Sequence, residues 1–485
     1  MNSCSIESLQ QQYRNIVVQI KCEYKTPDLT QPFRTSLLQN RRGSGFFVNV
    51  SRFLLITNAH VVANASSIRC SHPSIEDDIR LSLLSLCLDL DIALCEVIPS
   101  DRQFFEKQNL IQPIFGDSMT LIETSSVIAI GYPLGEEGIK FTVGNVSGFP
   151  RDDNLQHFVQ ITTPTNPGNS GGPIIDNNCH IVGILTAMSA NAQNTNYMLT
   201  IRTLYAIFGG YFCRNEKLNS IIWFPMFACC WCPINEDLRT LHSVPENGGI
   251  YISNVDSKSC FFNHLCQGDI LMSIEYEDIN YNHHVKATFN NKGHIYFDFS
   301  NRIGTMGELQ SIIPLNSNVI TEIYRNGEPK IFEVKWVMKE KISFDVQLTS
   351  FHPLEYKIIA GICFCSAMKQ HVIVFPELNG HVGGASSVLI SYIFPETHSA
   401  RDKVCNSGSR VSKINGKEIK KISDILDVLS TSKYLQIELM NSKYYVLKLS
   451  NARNDDSEIQ RKYELNISLF PLLTSKKSLR NVVKT

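Results

Sequence analysis

The sequence predicts a multidomain, mostly β protein, in which an all-β barrel or sandwich is followed by two α+β modules. Length is the first reason: 485 residues exceed what one hydrophobic core organises, and about two to four domains are expected. The second is the rhythm of residues 1 to about 207, where short apolar runs alternate with turn residues. The third is a change of character beyond that point, with a weak internal echo. "GGIYISNV…QGDILMSIEYEDI" and "SSVLISYI…NSGSRVSKINGKEI" each give a strand, a spacer, a glycine (Gly268 or Gly408) and a second strand.

In chain order, "NIVVQIKC" already reads as strand. "GSGFFVNV", "FLLITNAHVV", "DLDIALCEVI", "SSVIAIGYP", "HFVQITT" and "HIVGILTA" follow, each rich in Val, Ile, Leu or Phe and bounded by Gly, Pro, Asn or Asp. The first α+β module closes with "VITEIYRNGEPKIFEVKW", where Asn326-Gly327 between alternating runs predicts a hairpin. In the second, Ser423 is expected to cap a short helix whose Ile425, Leu426 and Leu429 share a face. "YLQIELMNSKYYVLKL" then predicts another hairpin.

Composition narrows the partners. Lys and Arg number 45 against 46 Asp and Glu, so no global field draws the chain to nucleic acid or acidic lipid. Hydrophobic residues make up 43 %, as in globular proteins, and no window approaches the run of about eighteen apolar residues that spans a membrane. The basic tail "SKKSLRNVVKT" reads as a solvated terminus. Fifteen scattered cysteines fit reduced thiols rather than a disulfide framework. With no basic stretch leading into an apolar one at the N-terminus, a reducing compartment (cytoplasm or nucleus) is expected, or an organelle if a presequence is missing.

The stretch "TPTNPGNSGGPII" surrounds Ser170 with Gly168, Gly171 and Gly172. Glycines gather where a chain turns sharply or approaches something closely. A surface turn is one reading; the other is a loop aiming N–H groups at an anion that forms beside a nucleophilic hydroxyl. A serine needs a base, and the base needs an orienting group. His60 in "TNAHVV", just past an apolar strand, and Asp91 in "DLDIALCEV", on an alternating strand, supply them. The order His60, Asp91, Ser170 is that of chymotrypsin-type enzymes. Ser170 would attack, His60 would carry the proton, Asp91 would fix the imidazole, and the N–H groups of Gly168 and Ser170 would form the oxyanion hole. Asp89 is a rival for the carboxylate role.

In order and spacing, "GSGFFV", "TNAHVV", "DLDIALCEV", "IGYPLG" and "TNPGNSGGPII" resemble the trypsin-like domain of the HtrA/Deg serine proteases. The resemblance runs along essentially the whole chain. It implies a chymotrypsin-like double β-barrel over 1–207, a first PDZ domain over 208–340, a divergent second PDZ-like domain over 341–452, and a tail from 453 to 485. It implies ATP-independent cutting of unfolded or damaged proteins by a homo-oligomer, trimer or hexamer, with no cofactor. It also implies a specificity pocket near Leu185, Thr186, Ala187 and Met198, favouring a small or medium apolar residue before the cut. Two stretches depart from the family. "NYMLTI" replaces its usual "GYxIP" pattern, and the carboxylate-binding loop of the first PDZ domain reads "WFPMFACC", with Pro225 and no glycine.

Other signals read more plainly. Cys229 and Cys232 have C-x-x-C spacing, with Cys260, His264 and Cys266 downstream, but no second such pair completes a zinc set; buried free thiols are expected and no metal. "IGYPLG" lacks phosphate-loop spacing. His157, His180, His283 and His284 are expected to be surface or packing residues. Besides the quality-control protease, two functions remain open: a catalytically quiet chaperone or scaffold, and a narrow-specificity processing protease.

Overall fold

In the computed structural model, residues 13–463 and 465 are described, except for 26–27, 35–37, 109, 137, 151–156, 189–194, 215, 245–247, 279–280, 301, 338–353, 369–370, 379–387, 403–404 and 430–432. The chain forms two compact units, one of residues 1–24 with 40–340, the other of residues 25–39 with 341–485.

Two closed barrels begin the first unit. Strands β1 (Val17–Lys25), β2 (Leu38–Asn49), β3 (Leu54–Thr57), β4 (Ala65–His72), β5 (Ile75–Cys87) and β6 (Ile92–Val97) close in the order β1-β2-β3-β6-β5-β4. A second set, β7 (Ser126–Gly131), β8 (Lys140–Gly148), β9 (Phe158–Ile161), β10 (Pro173–Ile175), β11 (Ile181–Met188) and β12 (Asn196–Thr200), closes as β10-β11-β12-β9-β8-β7. This is the chymotrypsin-like double barrel that the resemblance implies. Closure leaves no sheet edge unpaired and buries one face of every strand, such as Val127, Val159, Ile174, Val182, Leu185 and Met198 in the second barrel.

Helix Ile201–Arg214 leaves the second barrel, and an eight-stranded antiparallel sheet follows. Its strands are β13 (Cys229–Pro233), β14 (Ile250–Val255), β15 (Ile270–Asp278), β16 (His283–Phe289), β17 (Ile295–Phe297), β18 (Ile303–Gly304), β19 (Asn318–Arg325) and β20 (Glu328–Lys335). The expected hairpin joins β19 to β20, with Arg325 opposite Glu328. Asn326 (φ 55°) and Gly327 (φ 80°) both take the positive φ that a type I′ turn needs. Helix Met306–Ile312 starts at Thr305, whose hydroxyl accepts the Glu308 N–H.

In the second unit, one three-stranded sheet holds Tyr356–Ile359, Ile362–Ser366 and Val388–Ile393. A four-stranded sheet holds Val411–Ile414, Lys417–Glu418 and the predicted hairpin Tyr434–Leu439/Tyr444–Lys448. The internal echo is structural. Gly268 (φ 97°) donates to the Ile252 carbonyl at 2.9 Å, and Gly408 (φ 86°) donates to that of Ile390 at 2.8 Å. Ile252 and Ile390 in turn donate to Asp269 and Ser409.

Ser423 does not cap its helix. The helix spans Ile422–Leu429, so Ser423 lies inside it. The carboxylate of Asp424 does the capping, accepting the N–H groups of Lys420 and Lys421 at 3.0 Å each; a carboxylate in the first turn can reach back in this way. Ile425 is buried as expected, while the side chains of Leu426 and Leu429 lie outside the described residues. The segment after 452 is helical as far as Tyr463 (Leu449–Tyr463). Among the described residues every cysteine is a free thiol, and no helix is long and apolar enough to cross a membrane.

Candidate active site

Strand β3 ends at Thr57, and a one-turn helix, Ala59–Val62, follows at once. Ala59, Val61 and Val62 face inward, which leaves His60 as the residue that turns outward, its side chain 46 % exposed. Asp91 is not on a strand, as the alternating pattern suggested. It occupies the turn just before β6, with φ 53° and its N–H on the Leu88 carbonyl. Aspartate tolerates this left-handed conformation better than most residues. Asn58 Nδ2 holds the Asp91 carbonyl at 2.8 Å.

The Asp91 carboxylate is fully engaged. Oδ1 accepts the His60 N–H at 2.9 Å, and Oδ2 accepts both His60 Nδ1 at 2.7 Å and the Thr186 hydroxyl at 2.6 Å. An ionised carboxylate only accepts, so Nδ1 carries the proton and Nε2 of the neutral ring keeps its lone pair.

Ser170 sits in a loop pinned from both barrels. From β2, Ser44 donates its N–H to the Ser170 carbonyl at 2.8 Å and its hydroxyl to the Gly168 carbonyl at 2.7 Å. From β11, Leu185 exchanges bonds with Gly171 (2.8 Å) and Gly172 (2.9 Å). Here the glycines are required. Gly168 (φ 104°) and Gly171 (φ 88°) need the positive φ. A Cβ at Gly168, Gly171 or Gly172 would overlap the carbonyl oxygen of Tyr132, Ser44 or Ile130 respectively. Among the described residues, neither the Gly168 N–H nor the Ser170 N–H donates to a protein acceptor.

The serine hydroxyl itself donates to the Thr186 carbonyl at 3.4 Å, and no hydrogen bond joins it to the His60 ring among the described residues. Asp89, the rival carboxylate, points elsewhere and accepts the Phe224 N–H at 3.1 Å. Of the expected pocket residues, Leu185 and Met198 are cross-strand partners within the apolar core of the second barrel. Thr186 is spent on Asp91, and the side chain of Ala187 lies outside the described residues. Burial pushes the thiols of Cys22, on β1, and Cys87, at the end of β5, up to about 12.

Sequence reasoning passes over Ser44, Asn58 and the second role of Thr186. These are ordinary polar residues beside or within strands, and what they do depends on partners far along the chain. His157 is half-buried, its Nδ1 2.9 Å from the Gly307 carbonyl. Among the described residues no three His, Cys, Asp or Glu side chains gather as a metal site. Cys229 instead donates to the Phe227 carbonyl.

Comparison with known proteins agrees with this architecture. Residues 43–184 match the trypsin-like peptidase domain family. A putative protease Do-like 13 of Arabidopsis thaliana is 25 % identical over 459 residues, covering 93 % of this chain and 87 % of the relative. Protease Do-like 4, mitochondrial, of the same plant is 25 % identical over 92 % of this chain and 83 % of its own length. A probable periplasmic serine endoprotease, DegP-like, of Bartonella henselae is 24 % identical over 84 % and 74 %. With a trypsin-like peptidase domain match in its double barrel and relatives aligned along most of its length, the chain is a serine-type endopeptidase similar to the HtrA/Deg proteases.

Proposed function

We propose that the chain cuts unfolded or damaged polypeptides without ATP, with Ser170 as nucleophile, His60 as its base and Asp91 as the orienting carboxylate. The observation that carries this is the Asp91–His60 pair at 2.7 Å, which leaves Nε2 able to take a proton beside the glycine loop. On substrate binding the Ser170 hydroxyl rotates off the Thr186 carbonyl and gives its proton to Nε2 as Oγ bonds to the scissile carbon. The carbonyl oxygen gains the charge and is held by the Gly168 and Ser170 N–H groups. His60 then protonates the leaving amine, and a water, deprotonated in the same way, frees the acyl group.

A preference for a small or medium apolar residue before the cut belongs to the same proposal. Residues 208–340 and 341–452 serve as PDZ-like modules for assembly or regulation in a trimer or hexamer. The buried free thiols support a reducing compartment.

A second reading is favoured by one observation, the Ser170 hydroxyl lying on Thr186 rather than on His60: the chain is a quiet chaperone or scaffold. Casein digestion by the wild-type chain and by Ser170→Ala separates the two. Cleavage of unfolded casein that vanishes in the variant supports the protease. Absence of cleavage and of serine labelling by a fluorophosphonate, with both proteins suppressing aggregation, supports the scaffold.

A further inference from the structure

A cavity of about 740 Å³, lined by none of His60, Asp91 and Ser170, lies between strand β13 and helix Met306–Ile312. Leu90, Phe224, Met226, Trp231 and Met306 give it apolar walls. Strand β13 pairs with β14 alone and ends the sheet path, so its other edge is open among the described residues. An unpaired edge beside a groove of this size takes an extended chain by strand addition.

The loop that leads into β13 decides what the occupant must carry. Two of its N–H groups already have acceptors: Phe224 donates to Asp89 Oδ2 at 3.1 Å and Phe227 to Gln310 Oε1 at 2.7 Å. Pro225 has none to offer. A carboxylate of the chain's own thus stands at the loop, where a free peptide C-terminus would need N–H donors. Asp89 is exposed, lines the cavity and has no ion-pair partner among the described residues. His157, beside it, is held below its ordinary pKa by burial and does not neutralise it near pH 7.

We propose that this groove binds an extended apolar segment of another polypeptide that presents a lysine or arginine to Asp89, and that it does not capture free C-termini. The segment adds to the β13 edge, its apolar side chains lie against Trp231 and Met226, and its cation meets the lone carboxylate. A C-terminal carboxylate would set like charges against each other beside Asp89.

The test uses the full chain carrying Ser170→Ala, so that peptides survive, and reads anisotropy of labelled, C-terminally amidated apolar peptides. The lysine peptide is expected to bind about tenfold tighter than its glutamine counterpart. Asp89→Asn, which still accepts the Phe224 N–H, should erase that difference. Met226→Lys, at a side chain 50 % exposed and therefore tolerant of change, should abolish binding. Equal binding of the two peptides, binding only of free acids, no binding at all, or binding that survives Met226→Lys would each overturn the proposal.

Discussion

The Ser170 hydroxyl lies 3.4 Å from the Thr186 carbonyl oxygen, to which it donates. The hydroxyl of the same threonine donates to Asp91 at 2.6 Å. One residue of β11 therefore touches both ends of the constellation around His60. Its backbone holds the serine in a resting rotamer, and its side chain fixes the carboxylate.

Thr186→Val should lower kcat by about 10- to 100-fold, since a hydrogen bond to a charged group is worth about 1.5–3 kcal/mol. Thr186→Ser keeps the hydroxyl and should recover most of the rate. Steady-state kinetics on an unfolded substrate, with the pH profile of kcat/KM, checks this. A purely structural role would lower the melting temperature of the Val variant without displacing the profile.

Gly171→Ala places a Cβ on the Ser44 carbonyl oxygen at φ 88°. Left-handed backbone alone costs an alanine about 1–2 kcal/mol. The variant should lose activity and melt earlier. Gly148→Ala, with nothing within 4 Å of the added carbon, should do neither. Thermal melts of both variants beside the wild type are the measurement.

Arg202, 3 % exposed, bonds Asp278 at 2.8 Å through Nη1 and grips Asp117 through Nε at 2.7 Å and Nη2 at 2.8 Å. The rings of Tyr281 and Phe299 cover its guanidinium. This joins the helix after the second barrel to β15 of the next sheet. Arg202→Met strips a buried carboxylate of its partner and should cost about 3–5 kcal/mol, read as a lower urea midpoint. Adding Asp278→Asn should recover part of the loss.

Asp456 accepts the N–H groups of Ala360 and Gly361 at 3.1 Å each, yet burial raises its pKa from 3.8 to about 6. The folded state therefore keeps a proton that the unfolded chain releases. The stabilisation is complete below about pH 4 and is lost as pH rises through about 6, in all by about 2–3 kcal/mol. Amide exchange at Ala360 and Gly361, corrected for intrinsic rates, should show protection falling across that window. Asp456→Asn should flatten the dependence.

Much of this was legible in the residues themselves. The Asn326-Gly327 hairpin follows from two residues that accept positive φ, and the glycines around Ser170 mark a backbone that no side chain would permit. The echo around Gly268 and Gly408 survives as the same hydrogen-bond pattern. Less legible were β5, whose opening Ile-Glu-Asp-Asp carries too many charges to read as strand, and Asp91, which an alternating pattern put on β6 when a left-handed turn holds it. Local pattern identifies an apolar face but does not fix the residue at which the strand begins.

By itself the sequence determined which residues could do the chemistry, because a nucleophile, a base and a glycine at positive φ are properties of single residues and their neighbours. Tertiary structure decided what they touch. Closing the barrels brings Ser44 to Gly168 across 124 positions and Asp91 to Thr186 across 95. It also turns Asp89 away from His60 and toward the Phe224 N–H. Such partners are chosen by strand register and burial, which depend on the whole chain packing at once.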